Sequence, residues 1–122
     1  MTRTQALNAA GQSLWLDNIT RPMLDDATLT GYIDELSVTG LTSNPTIFEK
    51  AIGSSDEYDG AIGNALEKGD RPVAELFEHL AIEDIQNAAD VLRPVYDQLR
   101  GEDGFVSLEA VSYKHLTLPT IY

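Results

Sequence analysis

Val38-Thr39-Gly40-Leu41-Thr42-Ser43-Asn44-Pro45 is the stretch on which the fold turns. Its first six residues are mostly β-branched or small and suit a strand. Asn44 can then cap a helix through its side-chain oxygen, and Pro45 can take the first helical position, where a missing N–H costs nothing. A strand therefore runs straight into a helix. Upstream, Thr4–Ala10 predicts a short helix ended by Gly11, and Ser13-Leu14-Trp15-Leu16 a brief buried strand that stops at Asp17. Beyond Pro22, the residues Leu24, Leu29, Tyr32, Ile33 and Leu36 recur at helical spacing. With Asp25 and Asp26 placed to favour its start, they predict one helix of about ten residues.

Downstream, Pro45–Ile52 and Tyr58–Glu67 predict two helices around a Gly53-Ser54-Ser55 turn, and Lys68-Gly69-Asp70-Arg71 forms the next polar break. From Pro72 to Leu99, apolar residues including Leu76, Leu80, Ile85, Ala88, Leu92 and Val95 recur at three- and four-residue steps. This predicts the longest helix, kinked where Pro94 removes a backbone donor. After Gly101-Glu102-Asp103-Gly104, the run Phe105-Val106-Ser107-Leu108-Glu109 predicts a third strand, again ending on a carboxylate. The order β-α-β-α-α-α-β implies parallel strands joined by right-handed crossovers under a helical layer. In such sheets ligands bind at the carboxyl ends of the strands, so Asp17, the Thr42–Asn44 group and Glu109 are expected on one rim.

Composition narrows the chemistry. Of 122 residues, 43% are hydrophobic and 23% charged, the supply of one globular domain. Acidic residues outnumber basic ones 20 to 8, a formal charge of −12, which disfavours a nucleic-acid partner. No apolar run approaches the roughly 20 residues of a membrane span, and Met1–Asn8 lacks the layout of a signal peptide, so a cytoplasmic protein is expected. There is no cysteine and there are only two histidines, His79 and His115. Thiolate chemistry is excluded and little is left for a transition-metal cage, so catalysis rests on oxygen and lysine groups.

Three segments together resemble the transaldolase family: Ser13-Leu14-Trp15-Leu16-Asp17, Gly40-Leu41-Thr42-Ser43-Asn44-Pro45-Thr46-Ile47-Phe48, and Asp103-Gly104-Phe105-Val106-Ser107-Leu108-Glu109. The resemblance covers roughly residues 5 to 110 and is similar in flavour to the bacterial branch that includes fusions with phosphoglucose isomerase. It implies an α/β fold, the N-terminal portion of a TIM (β/α)8 barrel amounting to about three β/α units. It also implies a Schiff-base transferase that needs no metal or organic cofactor. Such an enzyme moves a dihydroxyacetone unit from sedoheptulose 7-phosphate to glyceraldehyde 3-phosphate, yielding erythrose 4-phosphate and fructose 6-phosphate in the pentose phosphate pathway. Carried over by motif, Asp17 handles the sugar hydroxyl proton during carbon–carbon cleavage, and Glu109 exchanges protons through a water during carbinolamine formation. Thr42 and Asn44 orient hydroxyls of the three-carbon unit.

Each residue also has a plainer reading. Asp17 suits a helix cap or turn, Thr42 and Asn44 suit structural capping, and Glu109 suits a solvated strand end. Trp15 and Phe48 read as packing, and His79 as a helix-surface residue. Two rival functions stand beside the first: a fragment of a fructose 6-phosphate aldolase-like class I aldolase, which should lack the long Pro72–Leu99 segment, and a non-catalytic α/β interaction module.

Against the family pattern, a full barrel needs about 250 residues, and its Schiff-base lysine belongs to a fourth strand. Lys50, Lys68 and Lys114 do not stand in that context. Residues 1–110 are therefore expected to form a partial barrel, catalytically incomplete alone, and residues 111–122 a tail of foreign or frameshifted origin. A three-strand slice is further expected to leave its first and third strands as open edges and to be marginally stable.

Overall fold

A computed structural model describes residues 1–54, 56–70, 72–108 and 120–121. The sheet is built from β1 (Trp15–Asp17), β2 (Gly40–Ser43), β3 (Phe105–Leu108) and β4 (Thr120–Ile121), in that spatial order. β1, β2 and β3 are parallel, with Trp15 opposite Gly40, which in turn faces Phe105, and Asp17 opposite Thr42, which in turn faces Ser107. The expected parallel α/β core is present. β4 is different: it runs antiparallel to β3, pairing Ser107 with Ile121 and Leu108 with Thr120. The third strand is thus not an open edge at these residues, contrary to the sequence expectation, because the tail supplies the backbone partners that a barrel neighbour would supply.

The helices are α1 (Arg3–Ala9), α2 (Arg21–Asp25), α3 (Thr28–Leu36), α4 (Pro45–Ser54), α5 (Asp59–Glu67) and α6 (Val73–Gln98). The single helix expected after Pro22 is two. Asp26 is the reason: its carboxylate accepts hydrogen bonds from the backbone N and hydroxyl of Thr28, while Ala27 adopts φ 63°, so the chain breaks and restarts. Asp26 therefore acts at the second helix start, not the first. α1 begins with a reciprocal cap, Gln5 N donating to Thr2 Oγ1 and Thr2 N to Gln5 Oε1.

Alternation along the strands sorts the two faces of the sheet. Leu16, Leu41 and Val106 point to the helices and join Ile85, Ala88, Leu92 and Val95 of α6 in one core with Ile19 and Leu29. The steps 81, 85, 88, 92, 95 along α6 are the three-to-four spacing read from sequence, and all five residues are buried. Val73, at the start of that run, is 83% exposed, so the helix overhangs its core. Pro94 lies inside α6, and it and Asp90, whose carbonyl it cannot serve, are both on the exposed side, where that carbonyl is within reach of solvent.

Gly104 lets the turn before β3 pack against the backbone of α6 at Tyr96. It has φ 92°, and a Cβ there would stand 2.5 Å from the backbone N of Tyr96. Only glycine meets both demands.

Candidate active-site rim

The opposite face of the sheet carries the side chains of Trp15, Asp17, Gly40, Thr42 and Ser107, from the strand residues that alternate with the core-facing ones. At its C-terminal rim Thr42 Oγ1 donates to Asp17 Oδ1 at 2.8 Å, joining the ends of β1 and β2. Asp17 is exposed and Thr42 half-buried. The pairing follows from register, since Asp17 and Thr42 are direct neighbours across a parallel ladder. Asp17 is therefore a strand-end carboxylate rather than the helix cap its plainer reading allowed.

Asn44 follows at the strand-to-helix junction, where its Oδ1 accepts from Thr46 N at 2.9 Å. This is the capping role foreseen for it, and it leaves Nδ2 without a hydrogen bond among the described residues. Asn18, one residue past Asp17, holds φ 94° and donates its backbone N to Thr42 O at 3.0 Å. Its Oδ1 is buried without a partner. A left-handed non-glycine residue and an orphaned acceptor beside a strand-end carboxylate mark a locally strained rim. Glu109 lies outside the described residues, as does Lys114, and nothing is described of the Phe48 side chain.

Two polar clusters that sequence reading missed support the rim from elsewhere. At the N-terminal edge of the sheet, Asp103 accepts hydrogen bonds from Ser13 Oγ (2.7 Å), Thr39 Oγ1 (2.7 Å), Trp15 Nε1 (3.0 Å) and Gly104 N (3.0 Å). Burial pushes its pKa up, but these four donors outweigh burial and hold it below the ordinary value. Its sequence signal was only a turn, Gly101–Gly104, because its side-chain partners are 64 to 90 residues away.

The second cluster ties α6 to the segment that follows β1. Arg21 Nε donates to Asp84 Oδ1 at 2.8 Å, and Tyr58 OH to Asp84 Oδ2 at 2.5 Å, while the guanidinium sits 4.5 Å from the Tyr58 ring centre. Arg21 Nη2 also lies 3.3 Å from Glu83 Oε1, near enough for charge attraction without the alignment of a hydrogen bond. Asp84 and Tyr58 are fully buried. Burial raises the pKa of both, and for Asp84 the hydrogen bonds and the Arg21 charge offset only part of that rise. Asp84 is a carboxylate among the buried, otherwise apolar residues of α6. His79 is half-exposed, 3.8 Å from Glu83, the helix-surface place expected of it.

The Transaldolase/Fructose-6-phosphate aldolase family profile matches residues 14–120. The match takes in most of the stretch beyond residue 110 that sequence reading set apart. The chain is 46% identical over 105 residues to the transaldolase of Thermobifida fusca, covering 86% of this chain and 28% of that protein. It is 42% identical over 99 residues to transaldolase 2 of Nostoc punctiforme, covering 81% and 26% respectively. With the transaldolase of Thiobacillus denitrificans it shares 41% over 109 residues, covering 89% and 30%. The chain thus spans between a quarter and a third of the length of these relatives. A parallel sheet with a carboxylate and a hydroxyl joined at its C-terminal rim, and a family match over most of the sequence, agree: this chain belongs to the transaldolase/fructose-6-phosphate aldolase family.

Proposed function

We propose that this chain is the N-terminal part of a transaldolase barrel whose complete form transfers a dihydroxyacetone unit from sedoheptulose 7-phosphate to glyceraldehyde 3-phosphate. The products are erythrose 4-phosphate and fructose 6-phosphate, in the cytoplasm. The observation that carries this reading is the 2.8 Å bond between Thr42 and Asp17 on the open rim. A carboxylate already bonded to a hydroxyl has the reach and the acceptor lone pairs to take a sugar hydroxyl proton as the carbon–carbon bond breaks.

In this mechanism a lysine amine condenses with the ketose carbonyl, and the resulting iminium draws in the electron pair released by cleavage. Asp17 accepts the proton of the hydroxyl that becomes the aldehyde. Glu109 moves protons through a water while the carbinolamine forms and collapses. Thr42 holds Asp17 in place and, with the Nδ2 of Asn44, orients hydroxyls of the three-carbon unit. By the family resemblance the lysine belongs to a fourth strand, a context in which Lys50, Lys68 and Lys114 do not stand, so turnover is assigned to a longer protein that carries this segment.

Borohydride trapping with fructose 6-phosphate tests this. A covalent sugar adduct is expected on the longer protein that carries this segment and none on the 122-residue chain; an adduct on the short chain overturns the assignment of the lysine. On the longer protein, Asp17→Asn is expected to lower turnover by about 10²–10⁴-fold while leaving the adduct trappable. The alternative of a fructose 6-phosphate aldolase is disfavoured by the 26-residue α6 and by the transaldolase names of the relatives.

A further inference from the structure

A carboxylate in the core ties together the two segments that leave the rim. Asp84 is fully buried on α6 and gives one oxygen to each: Oδ1 accepts from Arg21 Nε at 2.8 Å, and Oδ2 from Tyr58 OH at 2.5 Å. Arg21 opens α2, four residues past Asp17 at the end of β1. Tyr58 stands between α4 and α5, on the excursion that leaves β2 after Thr42 and Asn44. The Arg21 guanidinium lies 4.5 Å from the Tyr58 ring centre, so the two partners of Asp84 hold each other as well. The cluster is closed by described residues alone: Asp84 and Tyr58 have no exposed surface, and the Arg21 side chain keeps 12%.

The stretch between Asp17 and Arg21 is short and strained. Asn18 holds φ 94°, a costly conformation for a non-glycine residue that lasts only where its surroundings impose it. Behind the bend, Asn18 N donates to Thr42 O at 3.0 Å; ahead of it, Ile19 is sunk in the core and Arg21 is fixed by Asp84. Asp17 therefore adjoins a bend pinned on both sides. A buried ion pair is a weak source of stability, since apolar side chains of like volume often serve as well. What its hydrogen bonds add is direction, which a proton-transfer carboxylate needs from the shell that supports it.

We propose that Asp84 is a positioning residue for carbon–carbon cleavage: through Arg21 and Tyr58 it fixes both segments leaving the rim, and so holds Asp17 against Thr42. This rests on the transaldolase reading above. Asp84 touches no reacting atom. Release of its anchors lets the Asn18 bend relax, and the Asp17 carboxylate leaves the place from which it takes the sugar hydroxyl proton.

The test is a double-mutant cycle on the longer protein that carries this segment, read as transfer from fructose 6-phosphate to erythrose 4-phosphate. Asp84→Asn keeps an acceptor for Arg21 but loses the charge that grips it. It is expected to lower kcat about tenfold with KM within about twofold, the cost of a small displacement at the reacting centre, and to leave the borohydride adduct trappable. In the Asp17→Asn background the same change is expected to cost less than about twofold, because the group it positions no longer works there. An undiminished loss in the Asp17→Asn background, or no loss in either background, overturns the proposal.

Should Asp84→Asn not fold, Tyr58→Phe decides, since it removes one hydroxyl and keeps the ring beside the guanidinium. It is expected to lower kcat about threefold in the native background and to change nothing in Asp17→Asn; equal effects overturn the positioning role. Failure to trap any adduct on the native longer protein overturns the transaldolase reading and the positioning role with it. An adduct on the native protein, with equal losses in the two backgrounds, overturns the positioning role alone.

Discussion

The two ends of one parallel sheet are built on opposite principles. At the N-terminal edge, Asp103 collects four donors from three separated segments, and the turn that carries it packs Gly104 against the backbone of Tyr96. At the C-terminal rim, Asp17 has one side-chain partner and stands exposed, Asn44 keeps its amide nitrogen free of described partners, and Asn18 holds an unpaired oxygen. The three parallel strands are only three or four residues long, so the two ends are separated by only about 7–10 Å. One end spends its polar groups on holding the chain together, and the other leaves them available. In parallel α/β folds that division places stability at the amino ends of the strands and chemistry at the carboxyl ends.

Breaking the tight end should cost the most. Gly104→Ala is expected to destabilise by about 4 kcal/mol or more in urea unfolding, because the methyl meets backbone that cannot retreat and the left-handed conformation is lost with it. A loss below about 1 kcal/mol would mean that the Tyr96 contact is loose. Asp103→Ala comes next, at about 2–4 kcal/mol, since it strips the partner from three side-chain donors and Gly104 N at once.

Acid should weaken the same end. The folded state holds Asp103 below its ordinary 3.8, so its contribution is complete above that value and fades as pH falls through the lower folded one. Asp84 works in the other direction. Its folded pKa is raised, so its contribution is greatest below the ordinary value and declines as pH rises through the folded one. A pH series of urea midpoints should therefore flatten on the acid side in Asp103→Asn, and native and variant profiles of equal slope below pH 3.8 would contradict the assignment.

The open end should tolerate more. Asn44→Ala is expected to cost about 1 kcal/mol, the loss of a helix cap. Asp17→Asn should change stability by no more than about 0.5 kcal/mol, since an exposed group with one side-chain bond contributes little. A larger stability loss at Asp17 than at Asp103 would invert the comparison and remove the ground for placing chemistry at the rim.

The rim was more legible in the sequence than the two polar clusters at Asp103 and Asp84, and distance along the chain is the reason. Asp17 and Thr42 were readable because each lies at the end of a strand-like stretch and helical periodicity separates the two stretches. Asn44 was readable because its capping partner is two residues away. Asp103 looked like an ordinary turn residue, for its meaning lies with Ser13, Trp15 and Thr39, which no local pattern connects to it. Asp84 was masked in the same way: on α6 it interrupts an apolar stripe, and only Arg21 and Tyr58, brought in by other helices, make that position habitable for a carboxylate.

By itself, then, the sequence determined what short-range physics controls: the alternation of strands with amphipathic helices, the stripe on α6, the cap at Asn44 and the motif that marks the family. It did not determine that Asp26 splits one helix into two, because a competing side-chain bond to Thr28 outweighs helical periodicity there. Tertiary structure alone decided which glycine seats an indole, which aspartate gathers four donors and which strand lies beside β3. Those are contacts between segments far apart in the chain, and their energies exist only once the sheet has brought the segments together.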